Sequence, residues 1–111
     1  MKLHYKIWLE NEKGKVFGDG PSDILKRIER TGSLRQAAFE IKMSYSQAWN
    51  LIRSLEKKLG FKLLNRKVGG ESGGGSELTE EARILQEKYK NFYEQAEKSM
   101  NAIYQDVFKS K

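Results

Sequence analysis

Two adjacent segments with helix signals constrain the fold of this chain more than any other feature. The first runs from Ser33 to Ile41 and opens on a serine, a preferred N-cap residue. The second opens at Ser44 and closes at Gly60, and between them one apolar stripe recurs at helical spacing: Ala48, Leu51, Ile52, Leu55 and Leu59. Only Lys42-Met43-Ser44 separates the two segments. Two helices of this length joined by so short a turn predict a helix-turn-helix.

The residues before this motif predict a small hairpin and one further helix. Apolar residues alternate from Leu3 to Leu9, which is typical of a strand. Val16-Phe17, after the turn candidate Lys13-Gly14, predicts the returning strand. A helix is predicted from Pro21, the only proline of the chain, to Gly32.

A basic segment and a glycine-rich segment follow the motif. Residues 61–68 alternate imperfectly in polarity and carry three cations: Lys62, Arg66 and Lys67. Residues 69–76 read GGESGGGS, a composition typical of a flexible linker. Because they lie between a basic strand and Leu78, we interpret them as the tip of a hairpin. Residues 61–78 are therefore predicted to form a wing.

The remainder of the chain predicts one long helix with Thr79 as its N-cap. Its apolar residues recur at intervals of three, four and seven: Ala82, Leu85, Tyr89, Phe92, Ala96 and Ile103. Such a seam over about four heptads indicates pairing with another helix. We therefore expect a homodimer, with a winged helix-turn-helix domain in residues 1–78 and a dimerisation helix in residues 79–111. The fold class predicted is mainly α with a small β component.

Composition narrows the possible functions. The 111 residues, 38% of them hydrophobic, suit one small domain. No apolar run approaches the ~18 residues of a membrane span, and Met1 to Lys6 carries charges where a signal peptide is apolar. We therefore expect a cytoplasmic protein with no membrane partner. With no cysteine and one histidine, we expect no metal site, no cofactor and no enzyme activity.

The charge distribution favours a polyanionic partner. The chain carries a net charge of +6, of which +4 lies in residues 32–78 and none in residues 79–111. A recognition helix reads bases near its N-terminus, where this chain carries side chains that donate or accept hydrogen bonds: Tyr45, Ser46, Gln47 and Asn50. Trp49, beside them, suits packing or a phosphate contact.

Phosphate contacts are predicted on both sides of that helix. Three residues open the preceding helix, where backbone N–H groups and the helix dipole hold anions: Ser33, Arg35 and Gln36. In the wing, Lys62, Arg66 and Lys67 are placed to contact a second groove or the DNA backbone.

Four segments together resemble the LysR-type winged helix-turn-helix: residues 32–38, 43–49, 55–66 and Leu78-Thr79. Within that superfamily the chain is most similar to the N-terminal DNA-binding domain of ModE-type molybdate-responsive regulators. The details that favour this group are the Ser44-Tyr45-x-x-Ala48-Trp49 run, the glycines of residues 69–75 and the strand-like leader.

The resemblance implies a winged-helix dimer paired through its long helix, with the N-terminal strands as a further candidate contact. It implies a palindromic operator on which the recognition helices enter successive major grooves roughly 34 Å apart. By position it implies DNA contacts from Ser33, Gln36, Ser44, Tyr45, Ser46, Gln47 and Arg53, with Arg66 and Lys67 in the wing.

Regulators of this type carry molybdate-binding domains after the long helix, whereas the present sequence ends at Lys111. We therefore expect no oxyanion site in it and an effector, where one exists, sensed by a separate protein. The alternative function is a protein-interaction module whose wing and helix serve a protein partner. Salt dependence separates the two, because phosphate contacts release counterions and make affinity fall steeply with salt.

Overall fold

The computed structural model describes residues 1–67 and 75–109. In chain order the elements are β1 (Trp8–Asn11), β2 (Gly14–Gly18), α1 (Asp19–Thr31), α2 (Leu34–Glu40), α3 (Tyr45–Leu59), β3 (Leu64–Lys67), β4 (Gly75–Leu78), α4 (Glu80–Tyr104) and a π-helical turn (Gln105–Lys109). The strands form two separate antiparallel hairpins, β1–β2 and β3–β4. This order confirms the predicted winged helix-turn-helix.

Local capping fixes the ends of the helix-turn-helix. The Ser33 hydroxyl oxygen accepts a hydrogen bond from the backbone N–H of Gln36 at 3.0 Å and so begins α2. At the start of α3, Ser44 and Gln47 form a capping box in which each side chain accepts from the other residue's backbone N–H at 3.1 Å. The helix ends at Gly60, whose φ of 86° lies in the left-handed region that favours glycine. The predicted boundaries of α3 are confirmed.

One hydrophobic core joins the three N-terminal helices to the two hairpins. The most deeply buried large side chains come from β2, α1, α3 and the base of the wing: Phe17, Ile24, Leu25, Ile28, Ile52, Leu63 and Leu78. Ala37 and Ala38 of α2 and Ala48 of α3 are also buried. These small side chains allow the backbones of α2 and its neighbours to approach closely, which brings the N-termini of α2 and α3 to one side of the domain.

The structure corrects two predicted boundaries. Helix α1 begins at Asp19, two residues before the predicted Pro21, because a proline in the first turn lacks only an N–H that has no partner there. The predicted strand Leu3–Leu9 is a strand only from Trp8, since residues 1–7 pair with no other described strand. The predicted hairpin itself is confirmed.

Residues 1–7 instead run antiparallel to α4, with Leu3, Tyr5 and Ile7 half-buried and the other side chains exposed. Tyr104 donates to the carbonyl oxygen of Met1 at 2.7 Å, and Tyr5 donates to the Glu97 carboxylate at 3.0 Å. Burial and this carboxylate raise the pKa of Tyr5 to about 12. Tyr89 donates to Asp19 at 2.8 Å, and burial together with this carboxylate raises its pKa. Tyrosine hydroxyls therefore attach the N-terminal segment and α1 to α4.

The predicted seam of α4 is divided between two environments. Ala82 and Tyr89 are buried in the core of this chain, and Leu85 packs against that core. Further along, Phe92 is 51% exposed and Ile103 is 61% exposed, while Ala96 is half-buried. Helix α4 projects from the domain. The radius of gyration is accordingly 17.0 Å, whereas a globular chain of this length has about 13 Å.

Candidate nucleic-acid interface

Backbone N–H groups of the wing donate hydrogen bonds that fix it to the helix-turn-helix. The Ser76 N–H in β4 donates to the carbonyl oxygen of Gly32, between α1 and α2, at 2.9 Å. The Glu56 carboxylate of α3 accepts from the Leu63 N–H at 2.7 Å and lies 3.4 Å from the Leu64 nitrogen. These contacts hold the wing strands beside the N-termini of α2 and α3. Of the predicted glycine-rich tip, residues 69–76, the structure assigns Gly75 and Ser76 to β4, because they pair with β3, and residues 69–74 lie outside the described residues.

A concave groove of about 690 Å³ lies between the wing and these two N-termini. Its walls carry polar, cationic and aromatic side chains from α2, α3 and both wing strands: Ser33, Arg35, Tyr45, Trp49, Asn65, Arg66 and Ser76. The structure therefore brings three of the predicted phosphate-contacting residues, Ser33, Arg35 and Arg66, to the same groove, whereas Gln36 and Lys62 do not line it. Asn65 and Ser76 were not predicted, because their neighbours in the groove come from distant parts of the chain.

Two arginines stack on the exposed aromatic side chains of α3. The Arg35 guanidinium carbon lies 4.3 Å from the ring centroid of Tyr45, and that of Arg53 lies 5.8 Å from the ring of Trp49. Tyr45 is 43% exposed and Trp49 is 39% exposed. Such cation–π contacts restrain a guanidinium while its N–H groups remain available to an anion.

The exposed face of α3 extends along its length. Ala48, Ile52 and Leu55 are buried against the core, so the solvent face carries the residues at the intervening positions: Ser46, Trp49, Asn50, Arg53 and Lys57. Asn50 and Ser46 present hydrogen-bonding groups there, as predicted. Lys57 is also exposed, and its spacing of four from Arg53 places it on this same face.

The two glutamines predicted to contact DNA already use their side chains in hydrogen bonds within the protein. The Gln47 carbonyl oxygen accepts the Ser44 N–H, which leaves the amide N–H groups and one lone pair of that oxygen for a partner. The Gln36 side chain hydrogen-bonds to Glu40, whose pKa is held below its ordinary value mainly by Arg30 and Arg27.

The groove is electropositive because its cations are not neutralised by neighbours. Within residues 1–67 and 75–109, the ion pairs of arginine involve Arg27, Arg30 and Arg83, while Arg35, Arg53 and Arg66 form none. The cap hydroxyls of Ser33 and Ser44 accept hydrogen bonds through oxygen, so each retains its O–H to donate. The side chain of Lys67, predicted as a wing contact, lies outside what the structure describes.

No group of three or more metal-ligating His, Asp or Glu side chains occurs among the described residues. None of the described helices is long and apolar enough to cross a membrane. The charged groove beside α3 is thus the leading candidate site.

A recognition helix, a preceding helix and a wing around one cationic groove define a regulatory winged helix-turn-helix. Residues 23–83, more than half of the chain, match the family described as bacterial regulatory helix-turn-helix protein, lysR family. The chain therefore belongs to the lysR family of bacterial regulatory helix-turn-helix proteins.

Similar proteins narrow this assignment. The chain is 41% identical over 66 residues to the transcriptional regulator ModE of Haemophilus influenzae, covering 60% of this chain and 26% of the relative. It is 33% identical over 85 residues to the molybdenum transport protein ModE of Azotobacter vinelandii, covering 77% and 32%. It is 30% identical over 93 residues to the DNA-binding transcriptional dual regulator ModE of Escherichia coli, covering 83% and 36%.

These matches confirm the predicted resemblance: the chain is homologous to the N-terminal region of ModE regulators. The aligned part spans between 26% and 36% of the length of these three relatives. The expected absence of an oxyanion-binding domain stays a prediction.

Proposed function

We propose that this chain binds double-stranded DNA as a homodimeric transcriptional regulator, with α3 in the major groove. The observation that supports this most is the convergence of unpaired cations on one groove beside the exposed face of α3. Arg35 and Arg66 stand on its two sides, and Arg53 extends the charge along the helix. Phosphodiester groups are the ligand that such a distribution recognises.

The dimensions of the elements suit a duplex. An α-helix with its side chains is about 10–12 Å across, and the major groove is about 12 Å wide. With α3 in that groove, one sugar-phosphate strand passes between α3 and the wing, where Arg35, Arg66 and the Ser33 hydroxyl are available to its phosphates. The Trp49 ring, restrained by Arg53, packs against the sugar-phosphate surface.

Base readout is assigned to the N-terminal half of α3. Ser46 and Asn50 are exposed and take no part in capping, so their side chains are available to base edges. Gln47 contributes as a donor through its amide N–H groups, and Tyr45 through its hydroxyl. Asn50 is the one carboxamide in this set that takes no part in capping, so it is proposed as the strongest determinant of sequence preference.

Dimerisation is proposed through the part of α4 that its own protomer leaves uncovered. Phe92, Ala96 and Ile103 follow one another at intervals of four and seven on α4, and the two large members are more than half exposed. A partner copy of α4 along this stripe removes that apolar surface from water. A two-fold pair of recognition helices then reads half-sites about one helical turn, roughly 34 Å, apart.

Operator selection from random duplexes, followed by fluorescence anisotropy of variants, tests the proposal. Arg35→Ala and Arg66→Ala are expected to weaken the selected and a scrambled duplex alike. Asn50→Ala is expected to lower the preference for the selected duplex by about 5- to 150-fold, the equivalent of 1–3 kcal/mol for one base contact. Lys98→Ala, an exposed cation of α4, serves as the charge-matched control.

If random duplexes yield no enriched sequence and no variant differs from the parent, the DNA assignment is wrong. The winged-helix protein-interaction module then replaces it. Retention of DNA binding with unchanged sequence preference in Asn50→Ala contradicts only the assignment of Asn50.

A further inference from the structure

A second concave surface, of about 640 Å³, lies at the C-terminal end of α3, beyond the base-reading residues along the helix. Three cations line it: Arg53, Lys57 and Lys62. We infer that this surface is a second backbone site, which holds phosphates of DNA beyond those in the wing groove. The inference rests on the proposed function and adds Lys57 and Lys62 to its contacts.

The charge of this surface is available to a ligand. Arg53, Lys57 and Lys62 are exposed and form no ion pair within the described part of the chain. Glu56 is the one acidic residue that lines the surface, and one of its carboxylate oxygens accepts the backbone N–H of Leu63. Three cations and one carboxylate therefore line the surface, which leaves an excess of two positive charges.

Groups other than Lys57 and Lys62 donate to the carbonyl oxygens at the end of α3. A cation in the last helical turn commonly serves the unpaired carbonyl groups there. Here the Asn11 amide, from the β1–β2 hairpin, donates to the Lys58 carbonyl oxygen at 3.0 Å, and the Gly60 N–H donates to that of Glu56 at 2.8 Å. The Lys58 ammonium lies 3.4 Å from the Lys15 carbonyl oxygen. Lys57 thus remains on the exposed face.

Helix geometry places these cations at the edge of a major groove. At a rise of 1.5 Å per residue, Arg53 and Lys57 lie about 10 and 16 Å along the axis from Ser46. The groove is about 12 Å wide, so a helix that reads bases at Ser46 carries Lys57 past the bases to the phosphates that border the groove. Beyond the left-handed turn at Gly60 the chain reverses, which returns Lys62 to the same surface.

The test compares salt dependence of binding to the selected duplex. In the double variant Lys57→Gln/Lys62→Gln, two phosphate contacts are lost per protomer, so the slope of log affinity against log salt becomes shallower by about 1.8 per protomer bound. Between 50 and 200 mM salt the parent protein then loses about 12-fold more affinity than the variant, for each protomer on DNA. Lys26→Gln/Lys98→Gln is the matched control and is expected to keep the parent slope.

Lys57→Arg/Lys62→Arg is expected to retain the parent slope, since it keeps both charges. A thermal melt of each variant establishes that it is folded before its slope is compared. If the glutamine variant keeps the parent slope while the parent binds its duplex, the second backbone site is wrong and the proposed function stands. If that unchanged slope is accompanied by weaker binding of poly-glutamate, the surface serves an acidic protein instead. If the parent binds no duplex at low salt, both proposals fail.

Discussion

Removal of the Glu56 carboxylate is expected to loosen the junction between α3 and the wing. This carboxylate accepts the Leu63 N–H at 2.7 Å, and the Leu63 side chain is fully buried while Leu64 is 8% exposed. The second contact, 3.4 Å to the Leu64 nitrogen, is long and contributes little. Hydrogen bonds to a charged group contribute about 1.5–3 kcal/mol, so Glu56→Ala is expected to lower the free energy of unfolding by about 2 kcal/mol.

This loss converts into a measurable shift in melting temperature. An unfolding entropy of about 2.1 cal/mol/K per residue gives roughly 0.23 kcal/mol/K for 111 residues. A loss of about 2 kcal/mol therefore lowers Tm by about 9 °C. Glu56→Gln keeps one carbonyl oxygen as a neutral acceptor, so about half of that shift, near 4 °C, is expected for it.

Differential scanning calorimetry at a fixed protein concentration measures both shifts, because Tm of an associating protein depends on concentration. Glu87→Ala, an exposed carboxylate of α4, is the control and is expected to leave Tm within about 2 °C. A Glu56→Ala protein that melts within that same margin of the parent refutes the assignment of Glu56 to the wing junction.

Three further predictions concern the dimer and the titratable groups. The double variant Phe92→Glu/Ile103→Glu places two charges on the proposed α4 interface and is expected to sediment as a monomer where the parent is a dimer. The pKa of Tyr5 is raised from 10.0 to about 12, so the folded state binds this proton more tightly than the unfolded state. The resulting stability is complete below about pH 10 and is lost as pH rises through about 12. In Tyr5→Phe, the free energy of unfolding measured with urea is expected to change less with pH across that window. The pKa of Glu40 lies below 4.5 because Arg30 and Arg27 donate hydrogen bonds to its carboxylate. Its contribution to the free energy of unfolding is therefore present above about pH 4.5 and lost as pH falls through the lowered pKa. In Glu40→Gln, the free energy of unfolding is expected to fall less steeply with acid.

Each of these predictions has a control on the same chain. Lys90→Glu changes charge on another face of α4 and is expected to leave the dimer intact. Tyr45→Phe removes an exposed hydroxyl and is expected to keep the alkaline profile of the parent. Glu87→Gln removes an exposed carboxylate and is expected to keep the acid profile of the parent. A dimeric Phe92→Glu/Ile103→Glu protein, or a Tyr5→Phe or Glu40→Gln profile that matches the parent, contradicts the corresponding prediction.

The sequence predicted the helix boundaries well where a local signal sets them. Ser33, Ser44 and Thr79 each cap a helix, and their side chains act within three residues of themselves. The apolar stripe of α3 likewise needed only its own periodicity, and it packs as predicted. The turn between α2 and α3 followed from those two results, so the helix-turn-helix was predictable without any distant contact.

Features that depend on distant partners were not predictable. Residues 3–7 alternate like a strand, but alternation states only which side chains share a face, and here that face packs on α4 without a strand partner. The same holds for the seam of α4. Its periodicity predicts Tyr89 as a dimer contact, whereas in the structure Tyr89 donates a hydrogen bond to Asp19 of its own chain. Glu56 carried no sequence signal for its bond to the wing, seven residues away.

The measurement that tests the central claim most directly is the salt dependence of binding of the unmodified protein to a duplex, by fluorescence anisotropy. Each neutralised phosphate contributes roughly −0.9 to the slope of log affinity against log salt. The cations around the groove, present on both copies of a dimer, predict several such contacts, and so a slope of about −4 or steeper. Binding with a slope near zero, or no binding at low salt, contradicts the account of this chain as a DNA-binding regulator.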